Sequence, residues 1–268
     1  MPSRRSAGRR EVMGGLAKGL HVIRAFSREA PALSLSEVAA VAKLPAATAR
    51  RCLHTLEELG YVTRSGRVFL LRPKVLELGA GYLDSMDIES LTRTHLEDLA
   101  SRTGDSAAMT VLDGTDIVYV ARASVRTLMR LEAHVGSRFP AYPTSMGRVL
   151  LAGLGREGLE TYFQDAILSP LTKHTVTDRA KLAKLIGECR RAGYSAVEDE
   201  LAYGVVAVAV PVLDGAGRVV AAINSSSHSK KISRAQLARD RVAMLREVSR
   251  LISAELRRLP GLSLSAQR

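Results

Sequence analysis

The sequence predicts an α+β protein with two domains, a small helical domain closed by a β-hairpin and a larger domain built on one antiparallel sheet. Two observations indicate this class. Residues 1–74 contain short helical periods and one basic hairpin, whereas the later residues alternate strand-like runs with amphipathic helices. With 268 residues, 46% of them hydrophobic, the chain is long enough to form two cores.

Positive charge is concentrated near the N-terminus. Residues 1–74 contain 14 Lys/Arg and 5 Asp/Glu, whereas the other residues contain 25 and 22. This imbalance favours a polyanionic partner, either nucleic acid or an anionic membrane surface. We expect residues 1–13 to form a disordered basic tail.

Several features predict a cytoplasmic protein without a membrane partner. No apolar run approaches the ~20 residues that span a bilayer, and no apolar segment follows the basic start as in a secretory signal. Cys52 and Cys189 are far apart and lack a CxxC partner. This spacing indicates a reducing compartment without a disulfide framework or a zinc site.

Two helices are predicted at the start of the first domain, residues 14–74. The first is indicated by apolar residues at helical intervals, namely Leu16, Leu20, Ile23 and Phe26. Ser34 and Glu37 have the spacing of a capping box, and Leu33 with Val38 have that of a hydrophobic staple. They predict a second, short helix that ends near residues 43–44.

A third helix and a hairpin follow. Pro45 is expected at the first helical position, and Gly60 ends the helix. One face is apolar, with Ala49, Cys52, Leu53, Leu56 and Leu59, and the other carries Ala47, Arg50, Arg51 and His54. The stretch YVTRSGRVFLL then predicts two strands with Arg64 and Arg67 beside a Ser-Gly tip.

Short helix, tight turn, helix and basic hairpin together form the winged helix-turn-helix pattern of DNA-binding proteins. The major groove, about 12 Å wide, accepts one helix whose first residues reach the base edges. The plainer interpretation is an exposed helix with ordinary solvated arginines, and membrane insertion is disfavoured because the core requires the apolar face. The residues predicted to contact DNA are Ser34, Ala46, Ala47, Thr48, Arg50, Arg51, His54, Arg64 and Arg67.

We expect a linker helix at residues 75–87, a second domain at 88–258 and a C-terminal tail at 259–268. Strands are predicted at SAAMTVLD, DIVYVARA, TLMRLEAHV, residues 194–199, VVAVAVPVL and RVVAAINSSS. Helices are predicted at TSMGRVLLAGL, REGLETYF, DRAKLAKLIGECRRAG and residues 233–258. Strands with helices at both ends favour a single antiparallel sheet.

The second domain lacks the usual signs of an enzyme. It has no Gly-rich phosphate loop, no GxSxG and no HExxH motif, and the histidines have no spaced partners. We interpret the acidic cluster at residues 198–200 as a solvated surface rather than an acid/base pair, because successive strand residues alternate faces. The sequence therefore predicts no catalysis, no cofactor and no metal.

A binding pocket is the better prediction. Thr144–Gly147 start a helix after the Tyr142-Pro143 elbow, and a helix N-terminus attracts anions. Asn224–Ser226 end a buried strand. The plainer interpretations are that Thr144–Gly147 form an ordinary helix cap and that Asn224–Ser226 are simply the polar end of a strand. Three arginines are candidates to neutralise a carboxylate: Arg122, Arg126 and Arg130.

The combination of these segments resembles the IclR family of bacterial transcription regulators over about residues 14–256. The resemblance is carried by LSLSEVAAVAKLPAATARRCLHTLEELGYV, LRPKVLELGAGYL, YPTSMGRVLLAGL and GYSAVEDELAYGVVAVAVPVLDGAGRVVAAINSSS. VGSRFPAYPTSMGRVLLA with INSSSH is most similar to the branch that regulates the β-ketoadipate pathway, the protocatechuate and 4-hydroxybenzoate regulators.

The resemblance implies a winged helix-turn-helix domain, a linker helix and a GAF-like effector domain. It also implies homodimers or tetramers on palindromic, double-stranded promoter DNA, with RNA polymerase as a further candidate partner. The effector-binding residues that we expect are Arg122, Arg130, Tyr142, Thr144, Ser145, Met146, Gly147, Tyr203, Ala207, Asn224, Ser225 and Ser226. Some members of the family have an acidic residue at the position of Val197 and a cysteine at the position of Ala207. The less polar residues of this chain favour a larger or aromatic ligand.

The sequence hypothesis is thus a regulator of aromatic-compound catabolism that responds to a small organic acid, aromatic or dicarboxylic, through residues 79–86. The alternative is a small-molecule-binding or enzymatic α+β domain fused to a basic nucleic-acid-binding module.

Overall fold

The computed structural model describes residues 13–86, 88–124 and 133–257. The chain divides into two compact units, an N-terminal unit up to Tyr82 and a C-terminal unit from Leu83. The predicted tails lie outside the described residues, apart from Met13. The domain limits proposed from the sequence, 74/75 and 87/88, stay predictions.

The N-terminal unit consists of three helices and a small sheet, followed by a helical connection. Its elements are α1 (Gly14–Ile23), β1 (Ala32–Ser34), α2 (Leu35–Val41), α3 (Ala46–Glu58), β2 (Val62–Ser65), β3 (Val68–Leu71) and a 3₁₀ helix (Pro73–Leu76). The connection is α4 (Glu77–Met86), which begins in this unit and ends after Tyr82. The sheet is antiparallel in the order β1-β3-β2. The sequence predicted only the hairpin, because a three-residue strand has no periodicity that could reveal it.

Local signals explain the start of α2. The Ser34 backbone N–H donates to Glu37 Oε2 at 2.7 Å, and the Glu37 N–H donates to Ser34 Oγ at 3.4 Å. The predicted capping box is therefore confirmed. Leu33 and Val38, the staple pair, are both buried.

The start of α3 differs by one residue from the prediction. Pro45 is the N-cap with extended backbone, and Ala46 is the first helical residue. Proline suits both places, because its fixed φ is compatible with each and it lacks an N–H. On α1, Val22 enters the core whereas Leu16 and Leu20 are 62% and 45% exposed.

The C-terminal unit contains one six-stranded antiparallel sheet in the order β6-β5-β4-β9-β8-β7. Its elements are α5 (Ile88–Thr103), β4 (Ser106–Asp113), β5 (Asp116–Ala123), β6 (Arg138–Pro140), α6 (Ser145–Gly153), α7 (Arg156–Asp165), α8 (Arg179–Ala192), β7 (Ser195–Glu198), β8 (Val205–Leu213), β9 (Val219–His228) and α9 (Arg234–Leu256). The α+β class and the antiparallel sheet are confirmed.

One predicted strand is not formed as expected. The run TLMRLEAHV covers residues 127–135, of which 125–132 lie outside the described residues and 133–135 are irregular. The edge strand beside β5 is instead β6, where Ile117 pairs with Phe139. A short edge strand that contains a proline gives little sequence signal.

Helices cover both faces of the sheet. Residues of α5 and α9 pack with one set of strand side chains, including Met109, Val208 and Ile223. Residues of α6 and α8 pack with the other set, including Ala108, Ala209 and Ala222. Because strand residues alternate faces, β9 contributes to both layers. No described helix combines the length and apolar character that crossing a bilayer requires.

Candidate DNA-binding face and effector pocket

The arginines of α3 lie on its outer face. Arg50, Arg51 and His54 are exposed, whereas Leu53 and Leu56 on the opposite side are buried in the core of the N-terminal unit. Ala46 and Ala47 are exposed at the first turn, and Thr48 beside them is half-buried. The structure therefore places the predicted recognition residues of α3 together and accessible.

Of the other predicted DNA contacts, Ser34 and Arg64 have local partners. The Ser34 hydroxyl donates to Glu37 Oε2 at 2.7 Å, so the serine is occupied by the helix cap. Arg64 Nε donates to the Gly66 carbonyl at 2.9 Å, and its guanidinium lies 5.9 Å from the centre of the Phe69 ring. Arg67 is exposed in the turn between β2 and β3.

A tight elbow positions the start of α6. Thr144 is the N-cap: its Oγ1 accepts from the Gly147 N–H at 2.9 Å and donates to the Ala141 carbonyl at 3.0 Å. A Cβ at Gly147 would lie 2.0 Å from the Ala141 oxygen. Glycine at this position therefore permits the close approach of elbow and helix.

A small cavity of about 30 Å³ lies where this helix start meets the sheet. Val197 and Ala207, which are paired between β7 and β8, form part of its apolar wall. Six of the predicted effector residues line it together: Thr144, Ser145, Met146, Ala207, Asn224 and Ser226. Residues from four distant stretches of sequence thus meet at one place.

Strand alternation separates Ser225 from this group. Its hydroxyl points to the other face of the sheet and donates to Asp105 Oδ2 at 3.0 Å. Arg241 of α9 donates to the same oxygen at 3.0 Å. Ser225 therefore connects β9 to the α5–β4 junction and to α9, not to the cavity.

The remaining predicted residues are not cavity-lining residues in this structure. Tyr142 donates its hydroxyl to the Ser169 carbonyl at 2.5 Å, and Tyr203 is 56% exposed. Gly147 contacts Ala141, as described above. Arg122 faces the same side of the sheet as Asn224, because both pair with Ala108, and it donates to the Ala133 carbonyl. Arg126 and Arg130 lie outside the described residues.

An ion pair buried beside the cavity was not foreseen. Arg148 Nη2 lies 2.5 Å from Glu200 Oε2, and these residues are only 2% and 6% exposed. Arg148 Nε also donates to the Tyr142 carbonyl at 3.1 Å, and the Val176 N–H to Glu200 Oε2 at 3.3 Å. The expectation of a solvated acidic cluster is therefore wrong for Glu200. The signal that could have predicted this pair is the single arginine in the apolar run of α6, since a buried charge needs a partner.

Two further groups define the polarity of the cavity. Burial raises the pKa of Tyr119 to about 12, although nearby Arg122 opposes this shift, so the phenol is a neutral donor near pH 7. Asn224 Oδ1 is buried and has no hydrogen-bond partner among the described residues. Tyr119 was missed in the sequence, where it appears as one more residue of an apolar strand.

Three larger grooves lie elsewhere. One of about 620 Å³ runs along β7 between α8 and α9 and shares Glu200 with the small cavity. One of about 720 Å³ lies at the start of α7, and one of about 740 Å³ lies between α1 and α3. Buried polar atoms without a partner among the described residues occur both in the small cavity, at Asn224 Oδ1, and in the groove at the start of α7, at the Tyr162 hydroxyl. The small cavity is the better candidate because it also brings the start of α6 together with the end of β9. Within the described ranges, no group of His, Cys, Asp and Glu is arranged to hold a metal ion.

Comparisons with known protein families match both units. Residues 15–66 match the IclR helix-turn-helix domain, and residues 80–254 match the C-terminal domain of the bacterial transcriptional regulator IclR.

Individual proteins are similar over most of the chain. The Pca regulon regulatory protein of Pseudomonas putida is 38% identical over 247 residues, which cover 92% of this chain and 85% of that protein. The p-hydroxybenzoate hydroxylase transcriptional activator of Acinetobacter baylyi is 32% identical over 227 residues, with coverage of 83% and 84%. The crystal structure of an IclR homologue from Microbacterium hydrocarbonoxydans, complexed with 4-hydroxybenzoate, has a TM-score of 0.79 at 25% identity and covers 91% of this chain and 100% of that one. The chain belongs to the IclR family of bacterial transcriptional regulators.

Proposed function

We propose that this regulator binds promoter DNA through α3 and the β2–β3 hairpin, and that a small aromatic acid in the C-terminal unit changes this binding. The genes that it controls are those of aromatic-compound catabolism. The observation that carries the proposal is the α3 face, whose arginines are exposed opposite a buried apolar side. The relatives named for the Pca regulon and for p-hydroxybenzoate hydroxylase support the choice of pathway.

The geometry of α3 suits the major groove. Ala46 and Ala47 at its N-terminus allow close approach of the backbone, and Arg50 and Arg51 reach phosphates or guanine edges. Arg67 in the hairpin turn adds a contact with the phosphate backbone of the DNA. We propose that homodimers or tetramers present two such helices to a palindromic site in double-stranded DNA.

The cavity suits an aromatic acid once it widens. Ligand sites usually measure about 300–1,000 Å³, whereas this cavity measures about 30 Å³. Met146, Val197 and Ala207 offer apolar contact to a ring, and the first N–H groups of α6 offer an anion site. We therefore propose that effector binding displaces part of the cavity wall, and that this displacement transmits the signal to the DNA-binding domain.

The signal changes the affinity for the operator or the recruitment of RNA polymerase. A coupling free energy of about 1–3 kcal/mol between the two sites is sufficient. We propose that the sequence-defined segments act as a DNA-binding domain (14–74), a linker (75–87) and an effector domain (88–258). The protein acts in the cytoplasm as a binding protein without catalytic activity, and both of its cysteines are free thiols.

Promoter binding measured by fluorescence anisotropy tests this function. We expect the affinity to fall by about 10³–10⁵ between 50 and 200 mM salt, since a winged-helix dimer makes roughly 6–10 phosphate contacts. Addition of 4-hydroxybenzoate should shift the affinity.

The matched variants are Arg51→Ala on α3 and Arg156→Ala, an exposed arginine on α7. Arg51→Ala should weaken binding by about 1–3 kcal/mol, and Arg156→Ala should have no effect. Salt-independent binding, or equal effects of both variants, would contradict the assignment of the α3 face.

A further inference from the structure

We propose that Lys43, in the turn between α2 and α3, contacts the phosphate backbone of DNA, and that the strained backbone at this residue is retained because it holds the ammonium group beside the DNA. This inference rests on the proposed function and adds to it a contact residue that the sequence did not identify. It also means that fold stability and DNA affinity respond in opposite directions when this residue is replaced by glycine.

The turn after α2 has a conformation that ordinarily requires glycine. Lys43 has a φ of 54°, in the left-handed region, where the Cβ of an L-residue comes too close to the following carbonyl oxygen. Its N–H donates to the Ala40 carbonyl at 3.2 Å, and the Leu44 N–H donates to the Ala39 carbonyl at 2.9 Å. This pair of hydrogen bonds is the Schellman motif, in which glycine is the usual residue at the position of Lys43.

The end of α3 shows the same motif with glycine. Gly60 has a φ of 80°, and its N–H donates to the Glu57 carbonyl at 3.0 Å. The Tyr61 N–H donates to the Leu56 carbonyl at 2.8 Å. Both turns therefore make equivalent hydrogen bonds, and a lysine in the first of them gives no conformational advantage.

The side chain of Lys43 has no local contact that explains the strain. In the described chain the other non-glycine residue with a positive φ is Asp199, and its carboxylate accepts the Gly204 N–H at 2.7 Å. Lys43 is exposed, and its ammonium group has no such hydrogen bond or ion pair with any described residue. The acidic residue of α2, Glu37, is occupied by the cap at the opposite end of that helix. The charge is therefore available to a partner outside the chain.

The position of Lys43 indicates that this partner is DNA. Two residues separate it from Ala46, the first residue of α3, and the exposed Arg50 and Arg51 follow on the same helix. In a helix-turn-helix the second helix enters the major groove while the first crosses the DNA backbone, so the turn that joins them passes close to phosphates. The lysine side chain is long and flexible and suits a phosphate as a point charge.

Lys43→Gly in the full-length chain tests both effects. Glycine relieves the strain, so the melting temperature of the N-terminal unit in calorimetry should rise by about 2–6 °C. The loss of one phosphate contact should make the slope of log K against log salt less steep by about 0.9 per bound protomer, which corresponds to about fivefold weaker binding at about 0.15 M salt. Fluorescence anisotropy should show equal losses on a promoter fragment and on a duplex of arbitrary sequence, because phosphate contacts carry no sequence information.

Three further variants separate charge from strain. Lys43→Gln removes the charge but leaves a residue that is strained at this φ, so it should lose the same affinity without the rise in melting temperature. Lys43→Arg keeps the charge and should bind like the wild type. Lys184→Gln is the matched control, because it removes an exposed lysine from α8 and should change neither quantity.

The possible results are distinguishable. Unchanged affinity and salt slope in Lys43→Gly and Lys43→Gln would overturn the inference and leave the assignment of α3 to the Arg51→Ala test. A loss on the promoter fragment alone would show a base contact and would also refute the backbone contact. A lower melting temperature for Lys43→Gly would refute the strain. Salt-independent binding by the wild-type chain would instead contradict the proposed function itself.

Discussion

For the replacement of Gly147 by alanine, the sequence and the structure predict opposite changes in stability. Helix propensity alone predicts that Gly→Ala in α6 stabilises the helix by about 1 kcal/mol. In the structure the new Cβ would lie 2.0 Å from the Ala141 oxygen and 2.5 Å from its Cα and carbonyl carbon. These are backbone atoms, so no side-chain rotation relieves the clash, and the elbow or α6 must move.

The expected loss of stability is the cost of the clash minus the gain in helix propensity. Overpacking typically costs about 1–3 kcal/mol, and a clash with fixed backbone belongs at the upper end. After subtraction of the propensity gain, we expect the C-terminal unit to lose about 2 kcal/mol and its melting temperature to fall by about 4–8 °C. The affinity for 4-hydroxybenzoate should fall as well, because α6 carries Ser145 and Met146 into the cavity.

Differential scanning calorimetry with and without 4-hydroxybenzoate measures both effects. Gly158→Ala in α7 is the matched control, since its Cβ would lie 3.6 Å from the Leu154 Cβ, an ordinary contact. We expect this control to melt at or slightly above the wild-type temperature. If Gly147→Ala behaved like Gly158→Ala, the close approach at Ala141 would not constrain this position.

Three further predictions follow from the contacts of the C-terminal unit. Ser225→Ala removes the hydrogen bond to Asp105, so the variant should still bind 4-hydroxybenzoate in calorimetry but show a smaller effector-dependent change in promoter affinity. Ser227→Ala, on the same face of β9, is its control, and equal loss in both variants would assign the effect to general destabilisation. Tyr119→Phe removes a neutral phenol donor from the cavity and should weaken 4-hydroxybenzoate binding by about 1 kcal/mol; unchanged affinity would show that the phenol does not contact the ligand. Burial raises the pKa of Cys189 from 9.0 to about 11, so the unfolded chain loses this proton first and stability should be constant below pH 9 and fall by about 2–3 kcal/mol as the pH rises to 11. Cys189→Ala should remove this part of the decline in denaturant titrations under reducing conditions, and an identical decline in the variant would contradict the assignment.

Much of the fold was predictable because it is encoded in local patterns. The strands at residues 106–113, 116–123 and 205–213 coincide with the predicted apolar runs, and Gly193, with a φ of 71°, ends α8 as expected. The capping box of α2 needs only two side chains three residues apart. Elements that depend on pairing partners, such as β1 and β6, were missed because each has only three residues.

The effector pocket was only partly predictable. Thr144, Ser145 and Asn224 were identified from a helix start and a strand end, and the structure brings them to one cavity. Ser225 was grouped with Asn224 because they are adjacent in sequence, but adjacent strand residues face opposite sides. Tyr119 lies on β5, well before Thr144 in the chain, and no local sequence pattern identifies it as a cavity residue.

By itself the sequence determined the family, the two-part organisation and the basic amphipathic helix α3, because periodicity, caps and charge act between near neighbours in the chain. Only the tertiary structure decided which polar groups meet in the cavity. Arg148 and Glu200 are far apart in sequence: the apolar run around Arg148 indicates that this arginine needs a partner, but nothing in the sequence identifies Glu200 as that partner. Burial makes either charge unfavourable without the other, so their pairing is a property of the packed sheet and helices rather than of any local pattern.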